Sequence, residues 1–366
     1  MDDALKALLL LNCVGVSNAA RWKKFAANHE SCLVWKESYQ EIKVLGVSEA
    51  AHGKIRSRFN AAWAESEYNA CIKKGVKIIT CMDKEYPGVL YDLEDPPLLM
   101  YWHGAADRLP AESISVVGTR RASAYGRKTA WDLGAKCAEM KIGLVSGGAS
   151  GVDGSAHAGV CGGNGTTFAV LGTGIDKVYP SSNEKLFENI RECGALITEY
   201  PLGTNGEPWR FPRRNRIVAA LSGKTVVIEA PEKSGAMITA RMALELGREV
   251  WAVPGRIDEA SASGSNRLIF DGACPLICLE TFFGSIGGQT LLFESSRLEE
   301  QRKIMENLSG SERRIMDALR LNGERTVDNL SIEVKMSAAE VMKIIAVLSA
   351  KDLAYSAGPG RFSAKF

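Results

Sequence analysis

The stretch Ile142-Gly143-Leu144-Val145-Ser146-Gly147-Gly148-Ala149-Ser150-Gly151-Val152-Asp153 decides the fold. A short apolar run stops at a glycine-rich turn and continues into a segment suited to a helix. Strand, glycine turn, helix is the repeating unit of parallel α/β sheets. The unit recurs on both sides of this stretch. Upstream, Ile114-Ser115-Val116-Val117-Gly118 leads through Thr119-Arg120-Arg121 to a helix predicted over 125–140. Downstream, the apolar runs 168–171, 195–198, 225–228 and 250–253 end respectively at Gly172-Thr173-Gly174, Glu199-Tyr200-Pro201, Glu229-Ala230-Pro231 and Pro254-Gly255. Short apolar strands alternating with helices imply a parallel sheet covered on both faces. Right-handed crossovers then make it α/β and doubly wound, a Rossmann-like sheet.

Outward from this centre the pattern changes twice. Residues 76–80 form a β-branched run, and Pro87, Pro96 and Pro97 punctuate a loop-rich connector behind it. Before residue 76 the chain reads as helical, with a weak internal repeat: Cys13-Val14-Gly15-Val16-Ser17 returns as Val44-Leu45-Gly46-Val47-Ser48. Glycine permits a tight turn and serine caps the next helix, so each copy reads as a corner of a small bundle. The same turn resembles that of a helix-hairpin-helix, whose amides hold a DNA phosphate in some proteins. Beyond the sheet, glycines at 284, 287 and 288 and a charged run at 299–303 mark a linker. Helices are then predicted at 312–321, from Thr326, and at 338–351, followed by a hairpin around Gly358-Pro359-Gly360, a winged-helix order. The expected organisation is a small helical domain over 1–75, a Rossmann-like domain over 76–283, a linker over 284–306 and a winged-helix domain over 307–366.

Composition narrows the function. The 366 residues carry 45 Lys plus Arg against 43 Asp plus Glu, a formal charge of +2, which excludes a uniformly basic DNA coat. Any nucleic-acid site must therefore be local. Apolar residues at 46% and charged residues at 24% exclude disorder as the main state. Nine scattered cysteines suit reduced thiols in a cytoplasm, and four histidines without ligand spacing give no metal site. No apolar run approaches the roughly 18 residues of a membrane span, and Met1-Asp2-Asp3 lacks a secretory signature, so no membrane partner is expected.

In an open parallel sheet ligands bind beyond the carboxyl ends of the strands. The residues there are Gly118-Thr119-Arg120-Arg121, Ser146-Gly147-Gly148 through Asp153, and Gly172-Thr173-Gly174. Glycine after a strand also serves tight packing, but three such turns, with an arginine beside one, favour a phosphate-binding crevice. None of the turns reads G-x-x-x-x-G-K-[ST], and Gly172-Thr173-Gly174 lacks the third glycine of the dinucleotide fingerprint, so no nucleotide cofactor is expected. Arg210-Phe211-Pro212-Arg213-Arg214-Asn215-Arg216, preceded by Trp209, is the densest basic cluster. Arginine interleaved with aromatics suits single-stranded nucleic acid, where guanidiniums follow phosphates and rings accept unpaired bases. Catalytic candidates are poor. Asp153 and His157, four apart, read as a helix cap and a buried imidazole, and Ser146 and Ser234 lack a base. Glu199 and Glu229 each end a strand, but no nucleophile and base can be paired, and no catalytic residue is expected.

By these residues the chain resembles the bacterial DNA processing protein A family, also called DprA or Smf. The resemblance rests on Val117-Gly118-Thr119-Arg120, on Ser146-Gly147-Gly148-Ala149 through Asp153 to His157, and on Tyr179-Pro180. It continues through Phe211-Pro212 to Arg214-Asn215-Arg216, Ser234-Gly235, Pro254-Gly255, and 264–273. It implies a homodimeric, non-enzymatic protein of natural transformation that binds incoming single-stranded DNA, protects it, displaces single-strand-binding protein and loads the recombinase RecA. It makes Arg120 the main phosphate anchor. Gly118, Thr119, Ser146, Gly147 and Gly148 supply amides and hydroxyls, and Arg214, Asn215 and Arg216 line the same pocket, beside Arg121 and Arg213. The family often carries a basic residue after the Tyr-Pro; here Ser181-Ser182 follow, leaving Lys177 and Lys185 as the nearest cations. Two other readings stand beside it: a nucleotide-hydrolysing enzyme using Glu199 or Glu229, and a duplex-DNA regulator acting through the winged helix.

Overall fold

The computed structural model describes residues 1–28, 33–286, 308–351, 353–358 and 360–365, in two compact units, Met1–Phe283 and Gly284–Phe366. From residue 287 on, the expected linker lies outside the described residues.

The first unit opens with helices α1 (Asp3–Cys13), α2 (Ala19–Asn28), α3 (Tyr39–Ile42), α4 (Glu49–Ser57) and α5 (Ala61–Lys73). Gly15 and Gly46 both adopt φ of +85°, the left-handed turn that the repeat requires. The two copies differ in capping. Ser48 Oγ accepts from the Ala51 amide, as an N-cap should, whereas at the first copy Asn18 Oδ1 accepts from Arg21 N. That leaves Ser17 for other partners. Leu8, Leu9, Leu10, Leu11, Trp22, Ile42 and Ile55 are fully buried, in one core continuous with the strands.

The sheet has nine strands in the order β1-β2-β6-β5-β4-β3-β7-β8-β9. Their ranges are β1 Lys77–Thr80, β2 Leu99–Gly104, β3 Ser113–Gly118, β4 Gly143–Ser146, β5 Thr167–Val170, β6 Ala195–Thr198, β7 Lys224–Ile228, β8 Glu249–Ala252 and β9 Cys274–Pro275. Helices α6 (Ala124–Glu139), α7 (Val152–Gly162), α8 (Glu184–Cys193), α9 (Arg210–Ala220), α10 (Gly235–Glu245), α11 (Ser263–Phe270) and α12 (Leu279–Gly284) lie between and after them. Strands β3 to β9 pair in parallel. The expectation of a wholly parallel sheet fails at one edge, where β2 pairs antiparallel with both β1 and β6. The connector between β1 and β2 carries no α-helix, only a short 3₁₀ segment, so the chain lacks the helical crossover that a parallel return needs. β2 itself, Leu-Met-Tyr-Trp-His-Gly, hides behind Pro96-Pro97 in the sequence.

The chain builds outward from β3 through β4, β5 and β6, then returns to β3's other side with β7. The boundary between β3 and β7 is therefore the switch point, outside whose carboxyl ends a crevice must open.

In the second unit, helices Gly310–Asn322, Val327–Val334 and Ala338–Ala350 are joined by a three-stranded sheet in the order β10-β12-β11 (Arg325–Thr326, Arg361–Ala364, Ala354–Gly358). Ser309, Thr326 and Ser337 cap the helices, and Ile315, Met316, Leu330, Val341 and Leu348 form a core.

Candidate nucleic-acid interface

A crevice of about 610 Å³ opens at the β3–β7 switch point. One wall is the turn after β3, Gly118-Thr119-Arg120-Arg121; the other is Pro231, Ser234 and the first turn of α10. Ser234 caps α10 by accepting from the Met237 amide, so the positive end of that helix faces the space. The glycine loop and α9 form the remaining sides through Gly147, Ala149, Phe211, Arg214 and Asn215.

Helical periodicity divides the arginine cluster. Phe211, Arg214, Asn215 and Val218 point to the crevice, while Trp209, Arg210 and Arg213 border a second pocket beside the N-terminal helices. Arg216 is buried and bonds Glu199 Oε2 at 2.7 Å and Asp95 Oδ1 at 2.9 Å. Burial opposes its charge, but Glu199 and Asp95 outweigh that and hold its pKa above the usual guanidinium value. Arg213 donates to Ser17 Oγ at 2.8 Å and lies 3.7–3.8 Å from Glu199 and Asp95. Two arginines expected in the crevice are thus consumed elsewhere.

Arg214 reaches the crevice in a different role. It donates through Nη1 to the carbonyls of Gly147 and Val170, bracing the glycine loop from beneath. A Cβ on Gly147 would lie 2.5 Å from that Nη1, so the loop rests on the guanidinium. Burial pushes Arg214 down to about 10, Asp153 opposing and Arg120 adding to the effect.

Arg120 is exposed, and neither it nor Arg121 pairs with a carboxylate among the described residues. Its guanidinium sits 5.4 Å from the centre of the Phe211 ring. Phe211 in turn packs on Tyr179, ring centres 5.1 Å apart and planes 33° from parallel, and Tyr179 remains 46% exposed. The crevice mouth therefore combines an unneutralised guanidinium with an open aromatic face.

The expected amide cradle is smaller than the glycine count implies. Gly118 is needed because a Cβ would overlap the Ile228 carbonyl oxygen and Val152. Thr119 N donates to Glu229 O at 2.7 Å, and its hydroxyl accepts from Arg121 N. Asp153 Oδ2 accepts from Gly147 N at 3.1 Å and Ala149 N at 3.4 Å. The Ser146 hydroxyl is buried and donates to Val116 O at 2.5 Å, and Gly148 faces the Phe187 ring. The amides of Arg120 and Ser150 have no acceptor among the described residues, and both residues border the crevice. Lys177 and Lys185 are exposed and line neither part of it.

The acid and base candidates are engaged in internal contacts, and of them Asp153 and Ser234 line the crevice. Burial holds the Asp153 carboxyl above its usual range, against Arg214 and the loop amides. His157 is fully buried, its Nδ1 2.7 Å from Thr167 Oγ1, and burial with nearby Arg214 pushes it down to about 3. Glu229 accepts from the Ser123 amide at 2.8 Å and from its hydroxyl, and Glu199 holds Arg216. Neither glutamate lines the crevice. No cluster of three or more His, Cys, Asp or Glu suits a metal ion among the described residues, and no described helix is long and apolar enough to cross a membrane. Sequence reading singles out Phe211, with Trp209, as a ring for an unpaired base, and the structure brings only Phe211 to the crevice; it does not assign Tyr179, Ser234 and Gly235 to the site, whose signals are Tyr179-Pro180 ahead of α8 and Ser-Gly after a strand end.

Comparison with known proteins places this geometry. Residues 77–286 match the family described as DNA recombination-mediator protein A. Protein Smf of Synechocystis sp. is 37% identical over 237 residues, 64% of this chain and 58% of that protein, so the chain spans less than two thirds of that relative's length. The structure of DNA processing protein A from Streptococcus pneumoniae is similar at a TM-score of 0.69 and 28% identity, over 78% of this chain and 99% of the other. DNA processing protein A from Helicobacter pylori, solved for its single-stranded DNA binding mode, gives 0.54 and 28%, over 58% and 95%.

Proposed function

The chain belongs to the DNA recombination-mediator protein A family, and on that premise we propose that its crevice binds single-stranded DNA in the DNA processing of natural transformation. One observation carries the reading. Arg120, free of any carboxylate, stands over Phe211, which stacks on the exposed Tyr179. Phosphate and unpaired base are the two features of a single strand, and these are their complements. The unneutralised guanidinium and the helix end attract the backbone, while the ring face takes a base without reading its edge. Sequence preference is therefore weak. Glu199 and Glu229 engaged away from the crevice support a binder over a hydrolase.

The finer role follows the family: protection of the incoming strand, displacement of single-strand-binding protein and loading of RecA by a cytoplasmic homodimer, joining two crevices on one strand. Phe270, 80% exposed on α11, and Ile277, 74% exposed beyond the edge strand β9, offer an apolar face for the second copy. The helical domain over 1–75, the Rossmann-like domain over 76–283, the linker over 284–306 and the winged helix over 307–366 complete the proposal. The helix, strand, two helices and hairpin of the second unit support the last.

Competition between single-stranded and duplex DNA for the full chain tests the reading. Single strands win, and log affinity falls with log salt at a slope near −3 if about four phosphates are neutralised. Preference for duplex, or an affinity indifferent to salt, overturns it.

A further inference from the structure

The second pocket, about 370 Å³, lies on the far side of α9 from the crevice. Its aromatic lining is Phe59, Trp63, Tyr200 and Trp209, and Arg58, Arg210 and Arg213 stand among them. The Arg210 guanidinium lies 5.2 Å from the Tyr200 ring and 5.0 Å from the Trp209 ring; Arg58 lies 5.2 Å from the Phe59 ring and forms no ion pair among the described residues. Two buried donors at this pocket, Tyr200 Oη and Arg210 Nε, have no acceptor among the described residues, while Arg213 Nε faces the carboxylate of Glu199, which also lines the pocket, at 3.7 Å. Buried donors are nearly always satisfied, so this pair calls for an acceptor-rich occupant. Acceptors beside ring faces describe a nucleotide, its phosphate on Arg58 and on Arg210, which Glu207 approaches to 3.5 Å, and its base against indole.

The two pockets share a border. Pro208 lines the crevice and the next residue, Trp209, lines the second pocket. Just before them in the chain, Gly206 lies against Phe211 and Tyr179 of the crevice, where a Cβ would come 3.2 Å from the Phe211 ring. Trp209 is 54% exposed and so open to a strand that continues past Pro208.

We propose that this pocket is a second nucleotide subsite, which takes an unpaired nucleotide of the strand already held in the crevice. The proposal rests on the crevice reading above and extends the footprint across α9, using Trp209, Arg210 and Arg58. Free nucleoside monophosphate offers the same chemistry, but the shared border favours the strand.

The test is a ladder of oligothymidylates from about 5 to about 20 nucleotides, bound by the full-length wild type, Trp209→Ala, Arg58→Ala and Arg120→Ala, and read by anisotropy. The shortest strands fill the crevice and bind wild type, Trp209→Ala and Arg58→Ala alike. Longer strands lose roughly fivefold or more in the Trp209 and Arg58 variants, the size of one stacked base. Quenching of tryptophan fluorescence that is absent in Trp209→Ala sets in only at those lengths. If Trp209→Ala and Arg58→Ala bind every length as wild type does while Arg120→Ala weakens all, the subsite is refuted and the crevice stands. If Arg120→Ala also has no effect, the crevice reading itself fails. Quenching of Trp209 by thymidine monophosphate alone, with no dependence on strand length, overturns the continuous strand in favour of a free-nucleotide site.

Discussion

Helix α9 carries arginine on two faces, and the two faces do opposite things with the same charge. Toward the N-terminal helices, Arg213 and Arg216 meet Asp95 and Glu199, so the charge is spent within the fold. Toward the crevice, Arg214 finds backbone carbonyls and Arg120 finds an aromatic ring, and no carboxylate pairs with either guanidinium among the described residues. Of the arginines that α9 itself carries to the first face, each meets a carboxylate, so the free charge there comes from Arg58 outside α9, whereas the crevice face keeps that of Arg120. A basic cluster in a sequence therefore measures arginine content, whereas binding depends on where carboxylates are withheld.

The sharpest way to break this contrast is Arg216→Ala. Its removal leaves Glu199, 5% exposed, without its hydrogen-bonded partner and with only the longer 3.7 Å contact to Arg213. Breaking a buried pair in this way costs roughly 3–5 kcal/mol. The expected result is a large drop in the denaturation midpoint, with short single strands bound by the surviving folded protein as before. A variant that keeps its stability but loses short-strand binding would move Arg216 to the crevice face.

His157 probes the buried base of that face. Its folded pKa of about 3 lies below the unfolded value near 6.5, so the unfolded chain takes up the proton first. Stability is complete above pH 6.5 and falls as pH drops toward 3. Each unit costs about 1.4 kcal/mol, or about 2 kcal/mol between pH 6.5 and 5. His157→Gln should flatten that part of the profile. Asp153, whose folded pKa is raised, acts in the opposite sense, so the difference between wild type and variant isolates the imidazole. Equal slopes in the two proteins would show that the imidazole is not held neutral.

The alternation of strand and glycine turn made the central sheet legible. The run 195–198 coincides with β6, and the runs at 114, 142, 168, 225 and 250 fall within a residue or two of their strands. β2 was not legible, because two prolines ahead of it read as loop and its partners are remote in sequence. At the site, Arg120 could be read from its place after a strand. The division of 213–216 could not, because it depends on Asp95, more than a hundred residues away. The glycines were legible as turns but not as packing contacts, and Asp153 could not be seen to consume two loop amides.

Arg120→Ala tests the open face directly. Removing one charge-assisted phosphate contact should weaken every single-stranded sequence about tenfold, about 1.4 kcal/mol, and make the salt slope shallower by about 0.7. Stability should hardly change, because the side chain is exposed and buries no partner. Loss confined to particular sequences would mean that bases are read by their edges.

Lys177 and Lys185 supply the smallest effect and the finest test. Both are exposed and neither lines the crevice, although Tyr179 and Pro180 between them do. Any help they give is long-range attraction, which physiological salt screens beyond about 8 Å. Lys177→Ala and Lys185→Ala should each change affinity less than twofold at that ionic strength, with a larger loss only in dilute buffer. A loss matching that of Arg120→Ala at physiological salt would place these lysines on the strand itself. The open face of the comparison would then extend past Tyr179 toward α8, and the unneutralised field would belong to a groove rather than to the crevice mouth.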